Sequence, residues 1–314
     1  MVRIGHPRTL VARQGHAGDR RKDDLLESIP ASTAIRTALL TAVAMLAFAA
    51  NSLLCRLALG QELVDAATFT TVRVAAGAVT LSLIVLLRAR SQERGRPDWR
   101  TVTMLFTYMV FFSFAYLSLS AGTGALILFG AVQLTMFVVA LRGGEHFALL
   151  SWGGLALAVA GLIYLVSPGI TAPDPLGAML MAIAGVAWGF YLLFGRGAAD
   201  PLSATARNFV YSVPLVIVVQ LVFLGDFDAS TYGIALAVAS GAVASGCGYV
   251  IWYAALPGLT ATRAATVQLS VPVIAAFGGV LLLAEDVTLR LVLASAATLG
   301  GVAIVLAQRA AKAR

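Results

Sequence analysis

Two glutamines stand in matched surroundings: Val132-Gln133-Leu134-Thr135 returns as Val267-Gln268-Leu269-Ser270, and both runs continue through apolar residues to an acidic end, Gly144-Glu145 and Ala284-Glu285. An amide in an apolar span both donates and accepts, and leaving it unpaired costs about 1–3 kcal/mol. Each glutamine therefore either bonds across helices or meets a solute, and both readings stand for the pair. Pro272 follows Gln268 inside its span. Having no N–H, it frees a backbone carbonyl and loosens the helix, so it reads as a hinge. Phe48 with Asn51, Trp188 with Tyr191, and Tyr108 with Phe112 each share one helical face. Such faces pack helices together, or they hold the flat apolar body of a solute while the amides bond its polar end. Arg56, Arg73, Arg196 and Arg207 fall near segment ends. They read as snorkelling to lipid headgroups, or as attracting carboxylates at the two mouths of a cavity.

The positions of the other ionisable residues exclude several kinds of chemistry. All 15 Asp and Glu fall in the tail, the loops or the segment ends, and His6, His16 and His146 lie outside every span. A carboxylate buried in the bilayer is the usual proton carrier and cation partner, and none is expected here. No His/Cys/Asp/Glu group has metal-ligand spacing, and no Ser/His/Asp set falls at membrane depth. Neither a metal, nor a cofactor, nor a catalytic residue is expected, and the chain does not read as an enzyme. A channel would show a ring of charge or repeated filter carbonyls. Cys55 and Cys247 both sit in apolar segments and read as small core residues. Tyr249, Trp252 and Tyr253, near the end of the eighth segment, read as interfacial anchors.

The elements that carry these residues follow from composition. The 314 residues are 60% hydrophobic and 12% charged, with a mean hydropathy of +0.89. Soluble domains are about 45–50% apolar and about 25% charged, so the chain reads as an all-α integral membrane protein. Residues 1–34 form a basic tail expected to be disordered and cytoplasmic. Apolar segments follow at 35–59, 66–88, 101–119, 124–141, 149–167, 176–195, 205–224, 230–253, 261–283 and 289–307, which predicts ten transmembrane helices. With both termini inside, every Lys and Arg except Arg56, Arg73 and Arg290 is cytoplasmic, as the positive-inside rule demands. Membrane topology thus accounts for the net charge of +7, and no nucleic-acid partner is expected. Five helices per copy is an odd number, so the copies over 35–168 and 175–310 must be inverted relative to one another. Phe48, Asn51 and Arg56 share the spacing of Trp188, Tyr191 and Arg196, and Arg207 reads as a counterpart of Arg73 at a different offset.

Phe48, Asn51 and Arg56 in the first helix, Arg73 in the second, and Pro272 then Glu285 in and after the ninth come in a characteristic order. Over residues 35–310 that order resembles the drug/metabolite transporter superfamily, in its ten-helix EamA-type exporters. Departures from the family pattern are Phe48-Ala49 for Trp-Gly, Arg56 for Lys, Val74 for an aromatic after Arg73, and Phe137 for the fourth-helix Pro. The resemblance implies a secondary transporter of the bacterial inner membrane working by alternating access. Helices 1, 3, 4, 6, 8 and 9 would line the cavity, and helices 5 and 10 would lie at the periphery. It also implies a small-molecule substrate, with membrane lipids as the other partner, in a monomer or homodimer. An aromatic, amide-rich lining without carboxylates suits export of amino acids, aromatic or otherwise apolar, as in the aromatic amino-acid exporter of that family. The alternatives are a passive channel or lipid scramblase, or a carrier of nucleoside or drug-like solutes.

Overall fold

The structure, a computed structural model, describes residues 31–88 and 96–312. Most of the expected tail and the centre of the Arg88–Arg100 loop lie outside those residues. Every described element of more than three residues is helical: α1 (Ala31–Gly60), α2 (Ala66–Leu87), α3 (Trp99–Ala115), α4 (Ala121–Arg142), α5 (Leu149–Val166), α6 (Pro175–Phe194), α7 (Pro201–Val222), α8 (Thr231–Gly258), α9 (Ala261–Gln268 and Ser270–Leu283) and α10 (Leu289–Lys312). Among the described residues, nine helices are long and apolar enough to cross a membrane. The remaining one, α3, has 17 residues, the lower end of what a bilayer requires.

Acidic residues, expected at segment ends, cap these helices together with Ser and Thr. The side chains of Asp65, Asp98, Ser120, Asp174, Asp200, Ser230 and Thr260 each accept from a backbone N–H in the first turn of α2, α3, α4, α6, α7, α8 and α9. They satisfy donors that the helix itself leaves free, at the depth where water gives out. Two helices are irregular. In α8 the stretch Ala239–Cys247 is π-helical, which widens the turn. In α9 the helix breaks at Leu269. Pro272 cannot donate to the carbonyl four residues back, that of Gln268, and Ser270 Oγ bonds the Val267 carbonyl at 2.7 Å instead.

Packing follows the repeat. α5 lies on α10, α2 on α7 and α4 on α9; the other main contacts come in exchanged pairs, α3–α6 with α1–α8, α4–α6 with α1–α9, and α2–α8 with α3–α7. This is the pattern expected of two five-helix units related by a two-fold axis. In the α5–α10 crossing Gly154 and Gly301 meet, and an added Cβ on either would strike the opposite backbone. Without a hydrophobic drive between helices in lipid, such close backbone approach supplies the contact energy. Large apolar side chains such as Leu83, Leu86, Ile163, Leu221, Leu281 and Leu282 are exposed on the outside, whereas Asn51, Arg73, Ser113, Asn208 and Ser240 are buried. That is the arrangement of a bundle solvated by lipid.

Candidate functional site

Trp188, on α6, sits where both halves meet. Tyr108 of α3 stacks on it at 5.6 Å between centroids. Phe48 of α1 and Phe129 of α4 approach edge-on at 6.3 and 5.3 Å. Its indole N–H donates to the Tyr249 hydroxyl of α8 at 3.3 Å. Phe48 also meets Tyr249 and Trp252, each at 6.0 Å. Within this aromatic box lies a cavity of about 20 Å3 walled by Phe48, Asn51, Ser52, Tyr108, Phe112, Phe129, Trp188, Ser245 and Tyr249. A space of that size holds about one water, so in this conformation the box is closed to a solute.

The structure thus brings together five of the residues expected at the site: Phe48, Asn51, Tyr108, Phe112 and Trp188. Three others lie elsewhere. Tyr191 stands outside the cavity wall, where its hydroxyl donates to Thr205 Oγ1 at 3.2 Å, and Thr205 is bonded to the Tyr253 hydroxyl at 2.8 Å. Gln133 faces a separate cavity of about 120 Å3, lined by Arg196, Phe137, Ala158, Ala265 and Leu306. Gln268 ends the first segment of α9 and is 9% exposed. The two amides therefore do not meet in the aromatic box.

Arg73 corrects a second expectation. It is 1% exposed and does not snorkel. Its Nη2 donates to Asn51 Oδ1 at 3.3 Å and its Nη1 to Ser113 Oγ at 3.5 Å. The guanidinium lies over the Phe112 ring at 4.9 Å and near Phe69 at 5.9 Å. Ser240, from the π-helical part of α8, donates to the same Asn51 oxygen at 2.6 Å, and Asn51 Nδ2 donates to the Tyr108 hydroxyl at 3.5 Å. Acceptors on α1 and α3 hold the side chain inside, a long-range arrangement that leaves no trace in the sequence around Arg73.

Arg56 is also drawn inward, half-buried. Its Nε pairs with Glu285 Oε1 at 3.1 Å and its Nη1 donates to the Tyr116 carbonyl at 3.2 Å. Glu285 Oε2 in turn accepts from Ala121 N at 2.9 Å, the first N–H of α4, where the helix dipole favours a negative charge. At the same end, Asp65 N donates to the Asp228 carbonyl at 2.8 Å and Ser230 N to that of Leu63 at 2.9 Å. The α1–α2 and α7–α8 connections are therefore tied together. Arg196 at the opposite end is exposed and Arg207 half-buried. A third correction concerns Tyr249 and Trp252, which are buried in the box and do not sit at an interface. Ser113, Phe129 and Ser240 are further members of these constellations that local spacing did not single out, whereas Glu285 is the acidic end of the second echo. Among the described residues no group of three or more His, Cys, Asp or Glu could hold a metal ion.

With this geometry in hand, residues 175–307, from α6 into α10, match the EamA-like transporter family. An uncharacterized protein of Pseudomonas aeruginosa is 49% identical over 278 residues, covering 88% of this chain and 97% of that protein. An uncharacterized transporter of Archaeoglobus fulgidus is 26% identical over 249 residues, covering 76% of this chain and 88% of its own. A crystal structure covering 87% of this chain and 98% of its own superposes with a TM-score of 0.62 at 18% identity, a likeness of fold.

Proposed function

The chain belongs to the EamA-like transporter family, and from that premise we propose that it carries an amino acid with an aromatic or other apolar side chain out across the bacterial inner membrane by alternating access. One observation carries the reading: the closed box around Trp188 is walled by α1, α3 and α4 of the first half and by α6 and α8 of the second. A site shared between two repeats can open to one side or the other as the repeats rock, which is how carriers with inverted repeats work. Its lining combines stacking faces with hydroxyl and amide groups, as suits a flat apolar body with one hydrogen-bonding end. The network around Arg56, Glu285 and the α4 N-terminus supports assigning closure to that end in this conformation.

The test is transport by the purified protein in proteoliposomes. Labelled phenylalanine or leucine should enter saturably, and unlabelled substrate preloaded inside should accelerate entry. Uptake that stays linear with concentration and ignores preloading would mark a channel and refute the carrier reading.

A further inference from the structure

Among the described residues, Arg73 is a cation without a counter-ion. It stands about 10 Å along α2 from its first residue, at 1.5 Å per residue, and is sealed from solvent. No ion pair joins it to a described acid: the acceptors on its guanidinium are the neutral Asn51 and Ser113, and Glu285 is taken by Arg56. Charge inside a bilayer protein is expensive, and such residues mark substrate or ion pathways. The rings of Phe112 and Phe69 and the two neutral acceptors offset only part of that cost. Its Nε finds no acceptor at all. Asn51 and Phe112, which the guanidinium touches, are themselves walls of the closed box. The charge therefore stands one side chain behind the cavity.

We propose that Arg73 is the anion receptor of the transport site: a carboxylate on the solute docks on its guanidinium while the apolar body rests against Phe48, Phe112 and Trp188. This rests on reading the aromatic box as the transport site, and it names the chemistry that site selects. A guanidinium offers parallel N–H donors that match a carboxylate in a way an ammonium does not. Asn51 now occupies one edge and must turn aside, releasing Ser240 and Tyr108, so binding loosens the contact of α1 with α8 and α3. The site carries one positive charge with no described acid beside it. A monoanion neutralises it outright, whereas a zwitterion adds an ammonium that meets only rings and hydroxyls. Carboxylic acids with an apolar body should bind at least as well as the matching amino acids, and amides poorly.

Binding to purified protein at neutral pH decides this, with 3-phenylpropionate, L-phenylalanine and L-phenylalaninamide as probes. A thermal-shift panel of aliphatic and aromatic carboxylates with their amides runs beside it. Wild type should favour carboxylates over amides by roughly ten- to hundredfold, as expected for a charge-assisted bond. Arg73→Gln should erase that preference, and Arg73→Lys should retain part of it. Because Arg73→Gln also removes links to α1 and α3, Asn51→Asp serves as the folded control. It places a carboxylate on the guanidinium, should melt no lower than wild type, and should lose carboxylate binding by at least about tenfold. Amides that bind as well as acids, Asn51→Asp protein that binds acids normally, or stabilisation by chloride alone overturns the proposal. So does a wild type that no carboxylate stabilises. If phenylalanine fails while other carboxylates bind through Arg73, the amino-acid reading falls and the receptor stands.

Discussion

Trp188 touches aromatic partners from four other helices, so truncating it tests how far the box holds the bundle together. Trp188→Ala removes all of those faces at once and should cost about 3–5 kcal/mol of stability. Trp188→Phe keeps one ring in the box and loses the N–H to Tyr249 with part of the indole's packing, about 1–2 kcal/mol. Melting curves in detergent should therefore separate the two variants widely; equal curves would mean that the box is not structural. Gln133 makes the opposite case. It is nine-tenths buried, borders a mostly apolar cavity away from the box, and shows no side-chain hydrogen bond among the described residues. Gln133→Leu should leave both the melting temperature and solute affinity unchanged. A loss worth about 1–3 kcal/mol would instead reveal an interhelical bond. Helical spacing makes the shared faces of Phe48–Asn51 and Trp188–Tyr191 legible in the sequence. It could not tell that Tyr191 turns to Thr205, nor that Arg73 is swallowed. Those outcomes depend on partners more than a dozen residues away along the chain, on other helices.

At the scale of elements, α8 and α9 depart from regularity, and each departure has a cause in named residues. The carbonyl of Arg73 presses on Gly241 in the π-helical stretch, where an added Cβ would lie far inside van der Waals contact with it. Gly241→Ala must push α8 off α2, and a loss of about 1–3 kcal/mol is expected. An unchanged melting temperature would show that the crossing has slack. The π-helical stretch also explains the misplacement of Tyr249 and Trp252. Widened turns change the depth and bearing of everything that follows, and a regular 3.6-residue period cannot anticipate that. In α9, Pro272→Ala restores a donor for the Gln268 carbonyl and should close the break at Leu269. The expected result is a higher melting temperature, unchanged affinity and slower counterflow. Faster counterflow would deny the break any part in opening. Helix ends were legible to within a few residues. Starts came late at 124 and 205 because the polar first turns, Gly122-Thr123 and Ser203-Ala204, imitate loops while Ser120 and Asp200 cap them.

At the scale of the whole molecule, the exchanged packing pairs were implicit in two short echoes, Gln133/Gln268 and Phe48/Trp188. Yet the repeats diverge where function would need them to. The first holds a buried Arg73, while its counterpart Arg207 is only half-buried. Sidedness remains a proposal that the distribution of Arg and Lys supports. Reporter fusions at Asp174 and Asp228 should read periplasmic and one at Arg94 cytoplasmic, and a cytoplasmic signal at Asp174 would break the odd-numbered repeat.

Energy coupling is the property that belongs to the molecule as a whole, and the placement of its acids bears on it directly. No Asp, Glu or His lies within a described membrane-spanning helix. Glu285, just past α9, is committed to Arg56 and to the first N–H of α4. A proton carrier must load on one side and unload on the other, which a carboxylate fixed at one end cannot do. Uptake into proteoliposomes should therefore persist when the pH gradient is collapsed, driven by solute gradient or exchange. Glu285→Gln removes the charge from the Arg56 contact and keeps an acceptor for Ala121 N–H. It should loosen that end and change the rate, while transport stays independent of the gradient. Strict dependence on the gradient, lost in Glu285→Gln or Glu145→Gln, would make one of these end carboxylates the proton carrier and reverse the reading of the box as a site for facilitated diffusion or exchange.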